Sequence, residues 1–137
     1  MIRSAPRNGR EATPHWRAAR EGRLVMPFCA DCGQLDWPPA DRCPRCGGAL
    51  TWRECAGTGT IVTFSIVRRP VQPEWKDQVP YVVALVALDE GPRLLSNVVD
   101  CDPETVAIGQ RVTCAFVETT DPELGLPVFR PAETPSA

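Results

Sequence analysis

The chain has 137 residues, 43% of them hydrophobic, with 15 prolines, 10 glycines and seven cysteines; this suits one ordinary domain or two very small ones, and the lack of any 18-residue apolar run excludes a membrane-spanning helix. The net charge of −2 hides an asymmetry: residues 1–53 carry nine Arg against five Asp and Glu, a formal +4, while residues 54–137 carry six Arg and Lys against twelve Asp and Glu, a formal −6. A long contact between the larger, acidic part and a phosphate backbone is therefore disfavoured.

Residues 1–12 are polar and basic, show no periodicity and are expected to be disordered. Thr13 then reads as a helix N-cap with Pro14 at the first helical position. A short helix follows over 15–21 and closes at Gly22. Its apolar face is only Trp16 and Ala19, so it must pack on something to persist. Residues 23–28 lead in extended form into Cys29-x2-Cys32; residues 35–39 separate this pair from Cys43-x2-Cys46, and residues 50–53 follow it. These are the three short strands of a zinc ribbon.

The two cysteine pairs stand ten residues apart. Four soft thiolates in two tight knuckles are the donor set of a tetrahedral metal ion. Each knuckle runs on into glycine, Gly33 in one and Gly47 in the other, where the backbone can turn with positive φ. Disulfides fit less well: residues 1–25 lack the apolar core of a signal peptide, and seven cysteines is an odd number. The expectation is a reduced, cytoplasmic chain holding one zinc ion, with iron of the rubredoxin type as the alternative. A four-thiolate site has no open position for water or substrate, so Cys29, Cys32, Cys43 and Cys46 are expected to be structural.

After Cys55 the pattern changes. Gly57 and Gly59 mark the bent start of a β-branched strand over 61–67. Residues 68–80 form a loop with three prolines, and 81–88 are apolar enough to be buried on both faces. A turn at 89–92 leads to a strand at 93–99. Residues 102–109 read as a helical turn closed by Gly109, 111–118 alternate as a strand, and 127–130 form a last short strand before a flexible tail at 131–137. Three meandering strands, a helical turn and two further strands are the layout of a five-stranded OB barrel. The expected fold is mainly β: a helix and rubredoxin-like zinc ribbon over 13–54, then an OB-fold domain over 55–130.

No catalytic constellation emerges. Cys114 falls inside a strand and reads as a small buried hydrophobe; Cys55 and Cys101 flank the barrel. The one histidine, His15, is distant in sequence from all three, so a Cys–His pair is not expected. No phosphate loop, HExxH or GxSxG motif occurs. Arg68 and Arg69 follow the first barrel strand and either grip an anionic group or sit in a solvated loop. Trp16, Trp37 and Trp52 either pack around the ribbon or anchor a partner, with core packing the reading for Trp37 and Trp52.

The ordered series 20–25, Cys29-x2-Cys32-Gly33, Pro38-Pro39, Cys43-Pro44-x-Cys46-Gly47, 57–64, 80–91 and 106–112 resembles the bacterial and archaeal zinc-ribbon/OB-fold proteins that accompany thiolases. The likeness covers about residues 14–130. It implies a non-catalytic, zinc-binding partner subunit of a thiolase-fold enzyme acting on acyl-CoA thioesters: a thiolase, an acyltransferase or a side-chain aldolase of steroid degradation. The catalytic residues then belong to the partner, and the small subunit helps to shape the CoA or acyl site. Arg68, Arg69, Trp16 and Arg20 are the candidate contacts with acyl-CoA or the partner. Two rivals remain: a single-stranded nucleic-acid-binding module and a rubredoxin-like electron carrier. The first wants a basic groove with stacking aromatics, whereas this barrel is acidic and Phe64, Tyr81, Phe116 and Phe129 fall at expected core positions. The second wants knuckles spaced more widely than ten residues.

Overall fold

The computed structural model describes residues 2–6, 12–70 and 72–132. Strands β1 (Ile2–Arg3), β2 (Leu24–Cys29), β3 (Gln34–Leu35), β4 (Leu50–Cys55), β5 (Thr58–Val67), β6 (Tyr81–Leu88), β7 (Arg93–Val98), β8 (Arg111–Thr119) and β9 (Gly125–Pro131) form two sheets, with one helix, α1 (Thr13–Arg20). β3-β2-β4 make the small antiparallel sheet of the ribbon. β5-β6-β7-β9-β8 make a five-stranded barrel, closed by antiparallel β5–β8 pairing and a short parallel β7–β9 pairing at Val98 and Phe129. This neighbour order is that of an OB fold.

The sequence pattern explains most of this. β5 is rich in β-branched residues and takes a bulge at Val62, where pairing with β6 skips from Ile61↔Val86 to Thr63↔Leu85. The extra residue bends the strand and strengthens its twist, which barrel closure needs. Gly59 is required here because a Cβ would lie 2.6 Å from the Ala87 carbonyl. Gly125 serves the same purpose on β9, where a Cβ would lie 2.7 Å from the Arg20 amide. The C-terminal end of α1 can therefore rest directly on β9. One core joins both sheets: Leu24 and Met26 of β2 pack with Ile61, Val86, Val112 and Phe129 of the barrel.

Several expectations need correction. Residues 1–12 are not all without structure: Ile2–Arg3 pairs in parallel with Glu118–Thr119, while 1 and 7–11 lie outside the described residues. Pro131 belongs to β9 and the Ala132 amide donates to the Arg111 carbonyl at 3.0 Å; the rest of the expected tail, 133–137, also lies outside the described residues. Thr13 is not the N-cap but the first helical residue; Ala12 precedes it, with no side-chain cap. The buried stripe of α1 is His15, Ala18 and Ala19 rather than Trp16 with Ala19, because positions i, i+3 and i+4 share one helical face. Gly22, at φ 78°, ends the helix as expected. β6 is buried on one face only: Val82, Ala84, Val86 and Leu88 point into the core, while Tyr81, Val83, Leu85 and Ala87 are half-buried. No helix among the described residues is long and apolar enough to cross a membrane.

Candidate metal centre

Two turns of similar construction carry the four cysteines. In the first, Cys29 ends β2 and its carbonyl accepts from the Gly33 amide at 2.7 Å; in the second, the Cys43 carbonyl accepts from the Gly47 amide at 2.9 Å. Both glycines have positive φ, 71° and 74°, a conformation that a side chain would strain. Each loop thus folds back and turns its two sulfurs to one side. The second loop is latched by the Cys43 amide, which donates to the Gly48 carbonyl at 2.9 Å.

The Sγ atoms of Cys29, Cys32, Cys43 and Cys46 all lie within 4.8 Å of one another. Cys29 and Cys46 stand 3.4 Å apart and Cys32 and Cys43 3.6 Å apart. A tetrahedron with metal–sulfur bonds of about 2.3 Å has edges of about 3.8 Å, so the cage has the size of a four-thiolate site, and none of the seven cysteines is in a disulfide. Cys29 and Cys43 are buried, Cys32 is half-buried and Cys46 exposed. The backbone amides of Arg45 and Cys46 hold the Cys43 thiol down to about 7. Cys46, despite the Gly48 amide that favours its thiolate, is pushed up to about 12 by the neighbouring Cys29 sulfur. A metal ion must displace that proton.

One feature beside the cage escaped sequence reasoning. Arg45 donates twice to the Asp36 carboxylate, at 2.6 and 2.8 Å. This pair holds a guanidinium where its charge meets Cys32 and Cys43, and such outer groups tune a metal site and fix its ligands. The position of Arg45 between two cysteines of the cage is the signal that could have found it.

The other site candidates do not converge. Trp16 and Arg20 lie on α1; Arg68 and Arg69 follow β5. The antiparallel β5–β8 register sets Thr58 opposite Thr113 and Thr60 opposite Arg111, so Glu118, the partner of Arg20 at 3.8 Å, lies at the strand end opposite Arg68. Arg68 pairs with Glu104 at 2.6 Å, and Arg69 is exposed. Trp37 packs against the core, whereas Trp52 lies half-buried in a shallow surface depression with Pro14 and Pro27. His15, seen from the sequence only as a distant base, is fully buried between Trp16 and Trp37, with ring centroids at 4.5 and 4.2 Å. Its Nδ1–H donates to the Val25 carbonyl at 2.9 Å.

The remaining cysteines are tuned away from reactivity. Burial pushes the Cys114 thiol up to about 12 and the Cys55 thiol up to about 11; burial and the charges of Asp102 and Asp100 also raise Cys101. An activated nucleophile needs the opposite shift.

Comparison with known proteins agrees with this architecture. Residues 16–52 match the family model described as the ChsH2 rubredoxin-like zinc ribbon domain, and residues 52–117 match the ChsH2 C-terminal OB-fold domain. A chain of the solved Ltp2-ChsH2(DUF35) aldolase is 42% identical, with a TM-score of 0.83 over 93% of this chain and 99% of that one. A DUF35 domain-containing scaffold protein of Methanothermobacter thermautotrophicus is 41% identical over 109 residues, 77% of this chain and 81% of that protein. A probable enoyl-CoA hydratase alpha subunit of Thermomonospora curvata is 42% identical over 133 residues. That match takes in 96% of this chain, which spans only 40% of the Thermomonospora protein.

Proposed function

The chain belongs to the DUF35 family of zinc-ribbon and OB-fold proteins typified by ChsH2, and on that premise we propose that it is a non-catalytic partner subunit of a thiolase-like, acyl-CoA-processing enzyme in the cytoplasm. The observation that carries this reading is the likeness over nearly the whole chain to a subunit of the Ltp2-ChsH2(DUF35) aldolase. A partner role also suits the chemistry of the cysteines. The best-formed cluster of reactive side chains is a closed thiolate cage, and the other thiols are raised rather than activated.

In this reading residues 13–54 are the ribbon unit and 55–130 the barrel unit, and Cys29, Cys32, Cys43 and Cys46 hold one zinc ion. When bound, the ion ties the two knuckles together; with four thiolates it has no free position for a substrate. The chain's own residues do the rest: Gly33 and Gly47 turn the loops, Arg45 and Asp36 brace them, and α1 spans from β2 to β9. Trp16, Arg20, Arg68 and Arg69 remain the proposed contacts with acyl-CoA or the partner. Since Arg20 sits beside Glu118 and Arg68 follows the other end of the β5–β8 pair, they would serve two separate surfaces. Arg68 must leave Glu104 to grip an anion, and that exchange is inexpensive because an exposed pair is worth about 0–1 kcal/mol.

Co-expression with the thiolase-fold chain encoded nearest to its gene tests the reading. The expected result is a complex that survives gel filtration, with one zinc ion per copy of this chain by elemental analysis. Separate elution of the two chains, together with no binding of acyl-CoA, sinks it. A red, iron-containing native preparation would instead favour the electron carrier.

A further inference from the structure

Trp16, Leu94, Leu95, Leu126, Pro127 and Val128 line an apolar groove of about 140 Å³ where β7 and β9 part. The two strands pair at Val98 and Phe129, and Ser96 Oγ donates to the Pro127 carbonyl at 2.8 Å across the gap. Val99 N–H donates to the Phe129 carbonyl on this edge. The two-residue alternation of a strand turns the backbone groups of Leu95 to the same side, where no strand meets them among the described residues. Leu95 itself is 67% exposed. Trp16 Nε1–H is buried without an acceptor among the described residues, a costly state for a donor.

The groove continues onto a half-covered apolar surface. On the outward face of β6 and β7, Leu85 pairs with Leu95 and Ala87 with Arg93. The sequence of β6 is that of a strand buried on both faces, yet its outer residues are only half covered. At one end of this face Trp75 packs on Tyr81 and Arg3 lies over Trp75; among the described residues no aromatic ring covers the rows of Leu85 and Ala87 in this way.

We infer that this groove and the adjoining β6–β7 face are the docking surface for the catalytic partner, which lodges one leucine- or aromatic-sized side chain beside Trp16 and sets a carboxylate against Arg93. The inference rests on the partner-subunit reading above. The volume fits one such group, being close to the roughly 150 Å³ apolar cavity that takes up benzene in a well-studied protein. Charge selects a foreign partner over a second copy. Arg93 is exposed, with no ion pair among the described residues, and the outward residues of β6 and β7 include no Asp or Glu. The nearest carboxylates in sequence, Asp89 and Glu90, are already engaged by Arg111 and by the Ala56 amide, so a second copy presenting the same face would have to break those contacts to pair with it.

The test is calorimetric titration of the full, zinc-loaded chain with the thiolase-fold chain that copurifies with it. Leu95→Glu is expected to weaken binding at least tenfold with an unchanged melting temperature, because the side chain is exposed. Arg93→Glu should weaken it several-fold, with the loss shrinking as salt rises. Ile108→Glu, at another exposed large hydrophobic residue (69%), should bind within twofold of wild type. If Leu95→Glu binds within twofold of wild type, or Ile108→Glu is equally damaging, the docking surface is wrong while the partner-subunit reading stands. If wild-type protein binds no thiolase-fold chain, the reading itself fails. A dimer of this chain alone that Leu95→Glu dissociates in sedimentation would give the groove to a second copy and overturn the proposal.

Discussion

Stripping the metal from the native protein with a chelator, or replacing Cys43 by Ser, is expected to melt the ribbon and destabilise the barrel with it. β3 pairs with β2 over only two residue pairs, and a ribbon of this size buries too little surface to stand alone. Metal binding contributes about 10–16 kcal/mol to small structural zinc sites, so losing an ion from the proposed site would remove an amount comparable to the whole stability of an ordinary domain. The damage spreads because Leu24 and Met26 of β2 belong to the barrel core. A loss of several kcal/mol there lowers the melting temperature by well over about 10 °C for a domain of this size. Tryptophan emission separates the two parts: Trp16, Trp37 and Trp52 lie on α1 or in the ribbon, Trp75 beside the barrel. The expected outcome is a red shift from the first three and the loss of amide protection over β2–β4, while the centre of β6 keeps its protection. Unchanged emission and melting after complete zinc removal would show that the cage is not a staple.

The second large effect is acid lability centred on His15. Burial, opposed in part by the Val25 hydrogen bond, lowers its pKa from 6.5 to about 4. The ring is neutral with its proton on Nδ1, and Nε2 is buried with no partner among the described residues. Below pH 6.5 the unfolded chain takes up a proton that the folded helix refuses. Stability therefore falls as pH drops from 6.5 and levels off below about pH 4. At about 1.4 kcal/mol for each tenfold change, the total is about 3 kcal/mol. His15→Phe keeps an aromatic ring between Trp16 and Trp37 and forfeits one hydrogen bond, worth about 1 kcal/mol. It should be less stable than wild type at pH 7 but lose less on acidification. Denaturant unfolding of both proteins at pH 7 and pH 4.5 measures this. Protonation of the cage thiols acts in both proteins alike, so parallel pH slopes would contradict the assignment.

The strands were the most legible part of the chain. β6 runs over the expected 81–88, and β7 and β8 match to within one residue, since β-branched runs bounded by Gly and Pro leave few alternatives. The cage was legible because two CxxC knuckles followed by glycine admit few other geometries. What the text hid depends on contacts distant in sequence. His15 reads only as a lone histidine in an arginine-rich helix, distant in sequence from the cysteines, until α1 docks on β2 and β9. β1 forms because Ile2–Arg3 finds the free edge of β8, a pairing no local pattern announces. The half-covered outer face of β6 is the instructive disagreement: the residue types ask for burial that the described residues supply only in part.

Turnover of an acyl-CoA thioester is the most direct check that this chain contributes structure rather than chemistry. The assay compares the metal-loaded chain alone, the proposed thiolase-fold partner alone, and the reconstituted pair. The expected result is no turnover by this chain, full turnover by the pair, and loss of the pair's activity when the partner's own nucleophile is replaced. Turnover by this chain in isolation would contradict the account.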